Sequence, residues 1–516
     1  MTQTRGAIAA GHRKTAEAGM EILAQGGNAF DAVVAAALAA CVAEYALISL
    51  GGGGFLLAHT SDHHNTLFDF FTQTPQQRNT LHPDFYPVDV NFGSVIQEFH
   101  IGLGSAAVPG VAKGLLHVHK KLGRLPLATV AAPAIHYART GVEMTPFQCY
   151  SFSILTPILA ACPEMGPILV PNGKGLQPGD ILRIPALADT LEFLVAEGAR
   201  GFYEGEPAQQ LVRACQEKGG FLTLADLKDY AVIERSPLVA DYRGNTLLTN
   251  PPPSSGGTLI AFALGLLSQI DLAAMPFGSL EHLTTLAQVM RLTNQARADG
   301  YDRQLYAPDV AERFLSPNHL HTYARALTGS VNKWGSTTHI SVIDGEGNAA
   351  SLTGSNGEGC GYSIPGTGVM LNNMLGEEDL HPTGFHQWQE NVRISSMMSP
   401  TIVLRDRQPE LVLGSGGSNR IRTAILQVMS NLVDFGMKVE AAVESPRIHW
   451  ENGVFSLEPG FGLELEPLSD FPFDQEVNAW AASNMFFGGV HAVSQAPDGT
   501  LEAAGDSRRD GAIALL

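Results

Sequence analysis

Residues Gly335, Ser336, Thr337, Thr338, His339, Ile340, Ser341 and Val342 join a small, flexible lead-in to a strand-like run that opens on hydroxyl side chains. A hydroxyl is a weak nucleophile until a neighbouring base takes its proton. If the chain is cut before Thr337, the new terminal threonine supplies both parts. Its side chain is the nucleophile, and its α-amine, with a pKa near ~8, is a base at neutral pH. Threonine paired with its own terminal amine is one of the arrangements used for acyl transfer. Left uncut, the same stretch reads as a β-branched edge strand after a loop, because a short motif alone is only a hypothesis.

The residues that follow favour the first reading. Val342 and Ile343 close the apolar run, and Asp344-Gly345-Glu346-Gly347-Asn348 is turn chemistry. A second short strand-like run, 349–353, completes a hairpin of the longer-loop type. With the turn centred on Glu346, Thr337 faces Ser355, and cross-strand hydroxyls can hydrogen-bond. A slip of one residue would carry Ser355 to the other face.

The Thr-Thr-His-x-Ser-Val opening, the Asp-Gly-x-Gly-Asn turn and the later Leu371-Asn372-Asn373 resemble the γ-glutamyltransferase family. So do the Gly-Gly-Asn-Ala to Leu-Gly-Gly-Gly-Gly-Phe block near the start, the Pro-Ser-Gly string at 251–257, and the ending at 506–511. The resemblance spans nearly the whole chain. It implies an α+β fold, a four-layer αββα sandwich of the N-terminal nucleophile hydrolase type. It also implies self-cleavage into fragments 1–336 and 337–516, partners in one composite domain. In that reading Thr337 is the nucleophile, Ser355 orients it, and backbone amides of Gly416, Gly417 and Ser418 hold the oxyanion. The sequence places these last three at the opening of a helix reaching to about residue 435, where N–H groups attract negative charge. Ser395, Ser396, Asn373 and Glu377 match the family's substrate-binding positions. The substrate would be a small γ-glutamyl-type amide, and the acceptor water or an amino acid.

The departures bear on substrate. Where the family carries an arginine that grips the substrate carboxylate, this chain has Phe71, which cannot make a charge-assisted bidentate contact. Where the family carries a glutamine, it has Met374, which donates no hydrogen bond; the family's aspartate is Glu377, still able to pair with an ammonium. These changes count against ordinary glutathione. Arg393, Arg78 and Arg420 are candidates to replace the arginine in part. An acylase acting on a different amide, such as a glutaryl side chain, is an alternative in the same class; a non-catalytic binding relative is an alternative in another. The 380–391 segment is a short counterpart of the family's lid, with Phe385 and Trp388 as possible covers.

Around this centre the chain reads as alternating helices and strands. Helical spacing covers 15–24, 29–45, 125–138, 186–197, 258–267 and 281–297, with a further helix ending near 121. Asn28 and Asp31 form a capping-box pattern before the alanine-rich 29–45 helix, whose small residues on all sides mark it as buried. The stretch 308–333 is more irregular and suits a connection that rearranges after cleavage. With 516 residues, 45% hydrophobic, the chain can bury a large core.

Other functions are disfavoured. A net charge of -19 argues against nucleic acid and anionic membrane surfaces as partners. Gly102-x-Gly104-x-x-Ala107 mimics a dinucleotide fingerprint, but Pro109 disturbs the helix it needs, and the Gly51–Gly54 run lacks the lysine of a phosphate loop. No Gly-x-Ser-x-Gly elbow is present. Five scattered cysteines suggest neither disulfides nor a zinc site, and no cofactor or metal is expected. No apolar leader or spanning run is visible, so a cytoplasmic location is expected.

Overall fold

Alternation along the strand Thr338–Asp344 sets the layer order. Side chains two apart share a face of a strand. Ile340 and Val342 join a core of helical residues on one side, whereas Ile343 joins the core between two sheets. The partner strand Ala349–Ser355 divides the same way: Ala350 and Leu352 point to the helices, and Ala349 to the opposite sheet. The computed structural model describes residues 5–78, 82–91, 96–323, 337–381, 384–451, 453–462 and 476–516.

Both strands sit at the centre of a seven-stranded antiparallel sheet. Its order is Ala512–Leu515, Gly6–Ala10, Thr338–Asp344, Ala349–Ser355, Gly53–His59, Asn65–Phe70 and Ile233–Arg235. A second sheet runs Leu501–Ala504, Gly489–Gln495, Gln408–Gly416, Thr401–Arg405, Asn245–Thr249 and Leu238–Tyr242, and packs on the first. Helices Arg13–Ala24 and Ala29–Ala43 cover the outer face of the first sheet; Gly256–Leu267 and Arg420–Val433 cover that of the second. This is the four-layer αββα sandwich. Each sheet combines strands from before residue 337 with strands from after it: in the first, Gly6–Ala10 lies between two later strands, and in the second, four later strands are followed by Asn245–Thr249 and Leu238–Tyr242.

Local chemistry explains the placement of the central hairpin. The carboxylate of Asp344 accepts the N–H of Glu346 (2.9 Å) and of Asn348 (3.0 Å), fixing the turn. Its other oxygen accepts the N–H of Ala29 (2.9 Å), tying the turn to the start of the alanine-rich helix. Asn28 and Asp31 close the capping box there, a contribution of about 1 kcal/mol. All fifteen residues of that helix are buried, and its small side chains let helix Arg13–Ala24 approach closely. A Cβ on Gly19 would stand 2.9 Å from the carbonyl oxygen of Ala32.

Some boundaries differ from expectation. Strand Gln408–Gly416 runs through the first glycines, and the following helix begins only at Arg420. Helix Pro185–Glu204 is longer than its pattern, with non-helical backbone at Gly198. Part of the irregular stretch before Thr337 is helical, at Val310–Phe314 and Pro317–Tyr323. Residues 324–336, which hold the rest of that stretch and lead up to the expected cleavage before Thr337, lie outside the described residues. No helix among the described residues is long and apolar enough to cross a membrane.

Candidate active site

Thr337 stands immediately before its strand, Thr338–Asp344. The hairpin pairs Thr338 with Gly354 and His339 with Thr353. One further step of the same register sets Thr337 opposite Ser355, as the turn centre at Glu346 requires. Both are 5% exposed. Both line a cavity of ≈ 480 Å³ empty volume, part of it open to solvent. The Ser355 hydroxyl accepts the N–H of Gly357 (3.1 Å), which fixes one lone pair and leaves the hydroxyl on the cavity side of the strand.

The glycine turn closes on Thr337 from the second sheet. A Cβ on Gly416 would lie 2.1 Å from the Thr337 carbonyl oxygen, so only glycine permits this approach. Gly417 has φ +122° and Ser418 φ +48°, both left-handed backbone. The turn is therefore a strand-to-helix corner, not the first turn of the helix as the sequence suggested. Successive N–H groups in such a corner form an anion-binding concavity independently of a helix end. Ser418 lines the cavity, and its hydroxyl donates to Asp379 Oδ2 (3.1 Å). Gly416 and Gly417 do not line it.

The expected substrate contacts divide. Glu377 and Ser396 line the cavity with Thr337. Ser395 does not: it lines a neighbouring, larger cavity and hydrogen-bonds the Ser255 hydroxyl (3.1 Å). Asn373 is wholly buried behind the wall, where its side-chain oxygen accepts the N–H of Glu358 (2.9 Å). The boundary between the two cavities thus falls between Ser395 and Ser396. Phe71 and Met374 do line the cavity, Phe71 stacked on Phe55 with ring centres 5.3 Å apart. Neither lid aromatic covers it. Trp388 lines the neighbouring cavity, Phe385 packs on Phe85 and His100, and Leu380 is the lid residue in the wall.

The three candidate arginines are committed elsewhere. Arg393 pairs with Asp69 (3.2 Å), donates to the carbonyls of Phe71 (2.6 Å) and Ala231 (2.7 Å), and stacks on Tyr230. Arg78 donates to the His386 carbonyl (2.7 Å) and lies over Trp388. Arg420 lies 4.2 Å over Phe486, and burial lowers its pKa to about 10.

Behind the site are groups that the sequence did not single out. Arg509, 3% exposed, donates to the Thr337 carbonyl (3.4 Å) and faces Glu358, a buried carboxylate in the cavity wall. Its only sequence signal is its place in the 506–511 turn. Glu358 was hidden in a glycine loop, and Met397, Met398 and Asp379 had no distinguishing pattern. On the far face of the strand, Thr338 donates to Glu44, whose pKa burial pushes up to about 7. Between the sheets, His339 bonds Thr353 (2.8 Å) and Ser341 (2.9 Å), and burial holds it neutral. Cys360 is buried, and its thiol is pushed well above the usual range, which leaves it inert. Among the described residues no cluster of metal-ligating side chains occurs.

Comparison with known proteins places the chain in a family. Residues 15–516 match the family model described as Gamma-glutamyltranspeptidase. The chain is 30% identical over 529 residues to the Acylase ACY 1 proenzyme of Pseudomonas sp. (strain V22), covering 99% of this chain and 93% of the relative. It is 30% identical over 542 residues to the Glutathione hydrolase proenzyme of Bacillus subtilis (strain 168), covering 98% and 91%. Among solved structures, a cephalosporin acylase from Bacillus halodurans superposes with TM-score 0.85 at 24% identity over 100% of this chain and 96% of that one, a likeness of fold. Helicobacter pylori gamma-Glutamyltranspeptidase superposes with TM-score 0.54 at 27% identity over 62% and 91%.

Proposed function

Because the chain belongs to the gamma-glutamyltranspeptidase family, we propose that it is a self-processing enzyme whose N-terminal threonine cleaves γ-glutamyl-type amides of small molecules. The observation that carries the proposal is the meeting of Thr337, Ser355 and Ser418 in one cavity, with Gly416 packed on the nucleophile's own carbonyl. Cleavage after Ser336 yields fragments 1–336 and 337–516. They remain together as a heterodimer because the strands of both sheets come from both fragments.

In the reaction the Thr337 hydroxyl attacks the amide carbonyl carbon while its α-amine takes the hydroxyl proton. The Gly416 to Ser418 amides hold the oxyanion that forms. The C–N bond then breaks, the ammonium returns the proton to the leaving amine, and an ester joins the acyl group to Thr337. Water or an amine attacks the ester and restores the hydroxyl. Ser355 orients the nucleophile from across the hairpin.

A second reading within the class, an acylase for a different side-chain amide, is favoured by Phe71 and Met374 in the cavity wall and by the likeness to an acylase proenzyme. The test of the common mechanism is denaturing mass spectrometry with N-terminal sequencing. The expected small fragment begins at Thr337, and Thr337→Ala gives neither cleavage nor turnover. An unbroken wild-type chain that still hydrolyses amides would overturn the proposal, and an unbroken inert chain would favour a binding role.

A further inference from the structure

We propose that Glu44 is a positioning residue for the nucleophile: by holding the side chain of Thr338 it sets the direction in which Thr337 presents its hydroxyl and its amine. Glu44 touches no reacting atom, and its role rests on the N-terminal-threonine reading.

Little backbone holds the front of this strand. After cleavage Thr337 is attached through a single peptide bond, whose carbonyl and the N–H of Thr338 share one rigid plane. On one side the hairpin ladder reaches Thr338, which pairs with Gly354. On the other side the ladder with Gly6–Ala10 ends at the pair Ala10–Ile340, two residues short of Thr338. A chain end paired on one side frays unless side chains hold it.

Glu44 stands where that ladder stops. Thr338 shares the helix-facing side of the sheet with Ile340 and Val342, and its hydroxyl donates to the Glu44 carboxyl group. Thr338 is 2% and Glu44 4% exposed, so water does not compete for the bond. Gly11, the residue after the last laddered one, leaves room for it, since a Cβ there would collide with both partners.

The support behind Glu44 is rigid. Glu44 ends the buried helix Ala29–Ala43, donating its N–H to the Ala40 carbonyl (2.7 Å). Its own carbonyl accepts the N–H groups of Leu47 (2.7 Å) and Ile48 (3.2 Å). Ile48 in turn packs on Gly354, where a Cβ would lie 2.4 Å from its Cδ1. The turn that supplies Glu44 therefore also backs the ladder partner of Thr338.

The opposite end of the same peptide plane is held from the second sheet and the 506–511 turn. Arg509 donates to the Thr337 carbonyl, and Gly416 packs on it. With the carbonyl fixed at one end and Thr338 at the other, only rotations within Thr337 itself remain to place its amine and hydroxyl. Misplacing a reacting group by about 1 Å costs about a hundredfold in rate.

Thr15 supplies the comparison that separates positioning from stability. It donates to the other oxygen of the same carboxyl group (2.7 Å) and is wholly buried, but it belongs to helix Arg13–Ala24 and not to the strand. Thr338→Val, Thr15→Val, Glu44→Leu and Glu44→Gln are made in the full chain. Two rates are read: appearance of the fragment beginning at Thr337, by denaturing mass spectrometry, and kcat per cleaved chain with γ-glutamyl and butyryl anilides. Thr338→Val and Glu44→Leu should slow both by about ten- to a hundredfold and leave KM within about twofold. Glu44→Gln, whose amide oxygen still accepts the Thr338 hydroxyl, should stay within about threefold of the wild type. Thr15→Val should lower the melting temperature as Thr338→Val does, yet keep both rates near the wild type. Combining Thr338→Val with Glu44→Leu should be no slower than the slower single change. Wild-type rates in Thr338→Val, equal losses in Thr15→Val, or additive losses in the double variant would overturn the assignment. Should Glu44→Leu fail to fold, the two threonine variants decide, because each removes one hydroxyl and keeps a β-branched side chain. A wild-type chain cut before Thr337, with Thr338→Val unaffected, sinks the role of Glu44 alone. A wild-type chain that is never cut there sinks the catalytic reading as well.

Discussion

The carboxylate of Glu44 accepts the hydroxyl of Thr338, the residue that follows the proposed nucleophile. Thr15 donates to its other oxygen (2.7 Å), and Asp510 adds its charge from beside. Gly11 makes room, since a Cβ there would stand 2.4 Å from Glu44 Oε2 and 2.8 Å from Thr338 Oγ1. The end of the buried alanine-rich helix is thus fastened to the strand that presents Thr337.

That contact gives a pH dependence. Burial raises the Glu44 pKa to about 7 in the folded protein. The proton therefore favours the folded state, and this stabilisation, present below the ordinary carboxylate value, is lost as pH rises through about 7. Its size is about 3 kcal/mol. Glu44→Gln mimics the neutral acid. Calorimetry from about pH 5 to pH 8 should show a flatter melting-temperature profile for the variant than for the wild type. Parallel profiles would mean that Glu44 does not titrate in this range.

Gly416→Ala places a methyl 2.1 Å from the Thr337 carbonyl oxygen, so strand or nucleophile must shift. Overpacking of this kind costs about 1–3 kcal/mol, and the displacement of a reacting atom lowers rates about a hundredfold. Cleavage and amide turnover should both slow. Gly175→Ala, with open space around its Cβ, is the control and should change neither.

Arg509 and Glu358 are buried facing charges, one on the nucleophile's carbonyl and one in the cavity wall. Removing the guanidinium by Arg509→Met should destabilise the fold by about 3–5 kcal/mol, because the buried carboxylates of Asp506 and Glu358 then lose a facing cation. Adding Glu358→Gln should recover at least about 1 kcal/mol of that loss in a denaturant-melt cycle. Strict additivity of the two changes would show that they do not interact.

Phe71→Arg would bring a cation to the cavity that holds Glu377 and Thr337. The ratio of γ-glutamyl to butyryl anilide turnover should rise about tenfold, by the pairing of a guanidinium with a carboxylate. The fold will lose some stability, because the Phe55 stack disappears. An unchanged ratio with a normal melt would show that position 71 does not see the acyl group.

The chemistry was written locally. A hairpin turn centred on Glu346 and a period of two fix which residues share a face, so the pairing of Thr337 with Ser355 needed only arithmetic. The capping box at Asn28 and the burial of the alanine-rich helix were equally local, because neighbours in sequence determine them. The αββα class followed from resemblance, not from spacing, since no local rule states how two sheets face each other.

Tertiary structure decided what surrounds the hydroxyl. Glu358 and Asp379 became cavity walls, and Asn373 a support behind one, because of loops that pack from different parts of the chain. Ser395 and Ser396 parted because the cavity boundary runs between them. Arg393 stood close to the site in sequence yet was claimed by Asp69, over three hundred residues earlier. The glycine corner at Gly417 and Ser418 replaced the expected helix end, as strand pairing with Gly489–Gln495 held the backbone extended through Gly416. Sequence determines which groups a chain can bring to a reaction, through bonds and short-range geometry. Which charges face the substrate is set by long-range packing, where each buried group takes the partner the completed fold puts beside it.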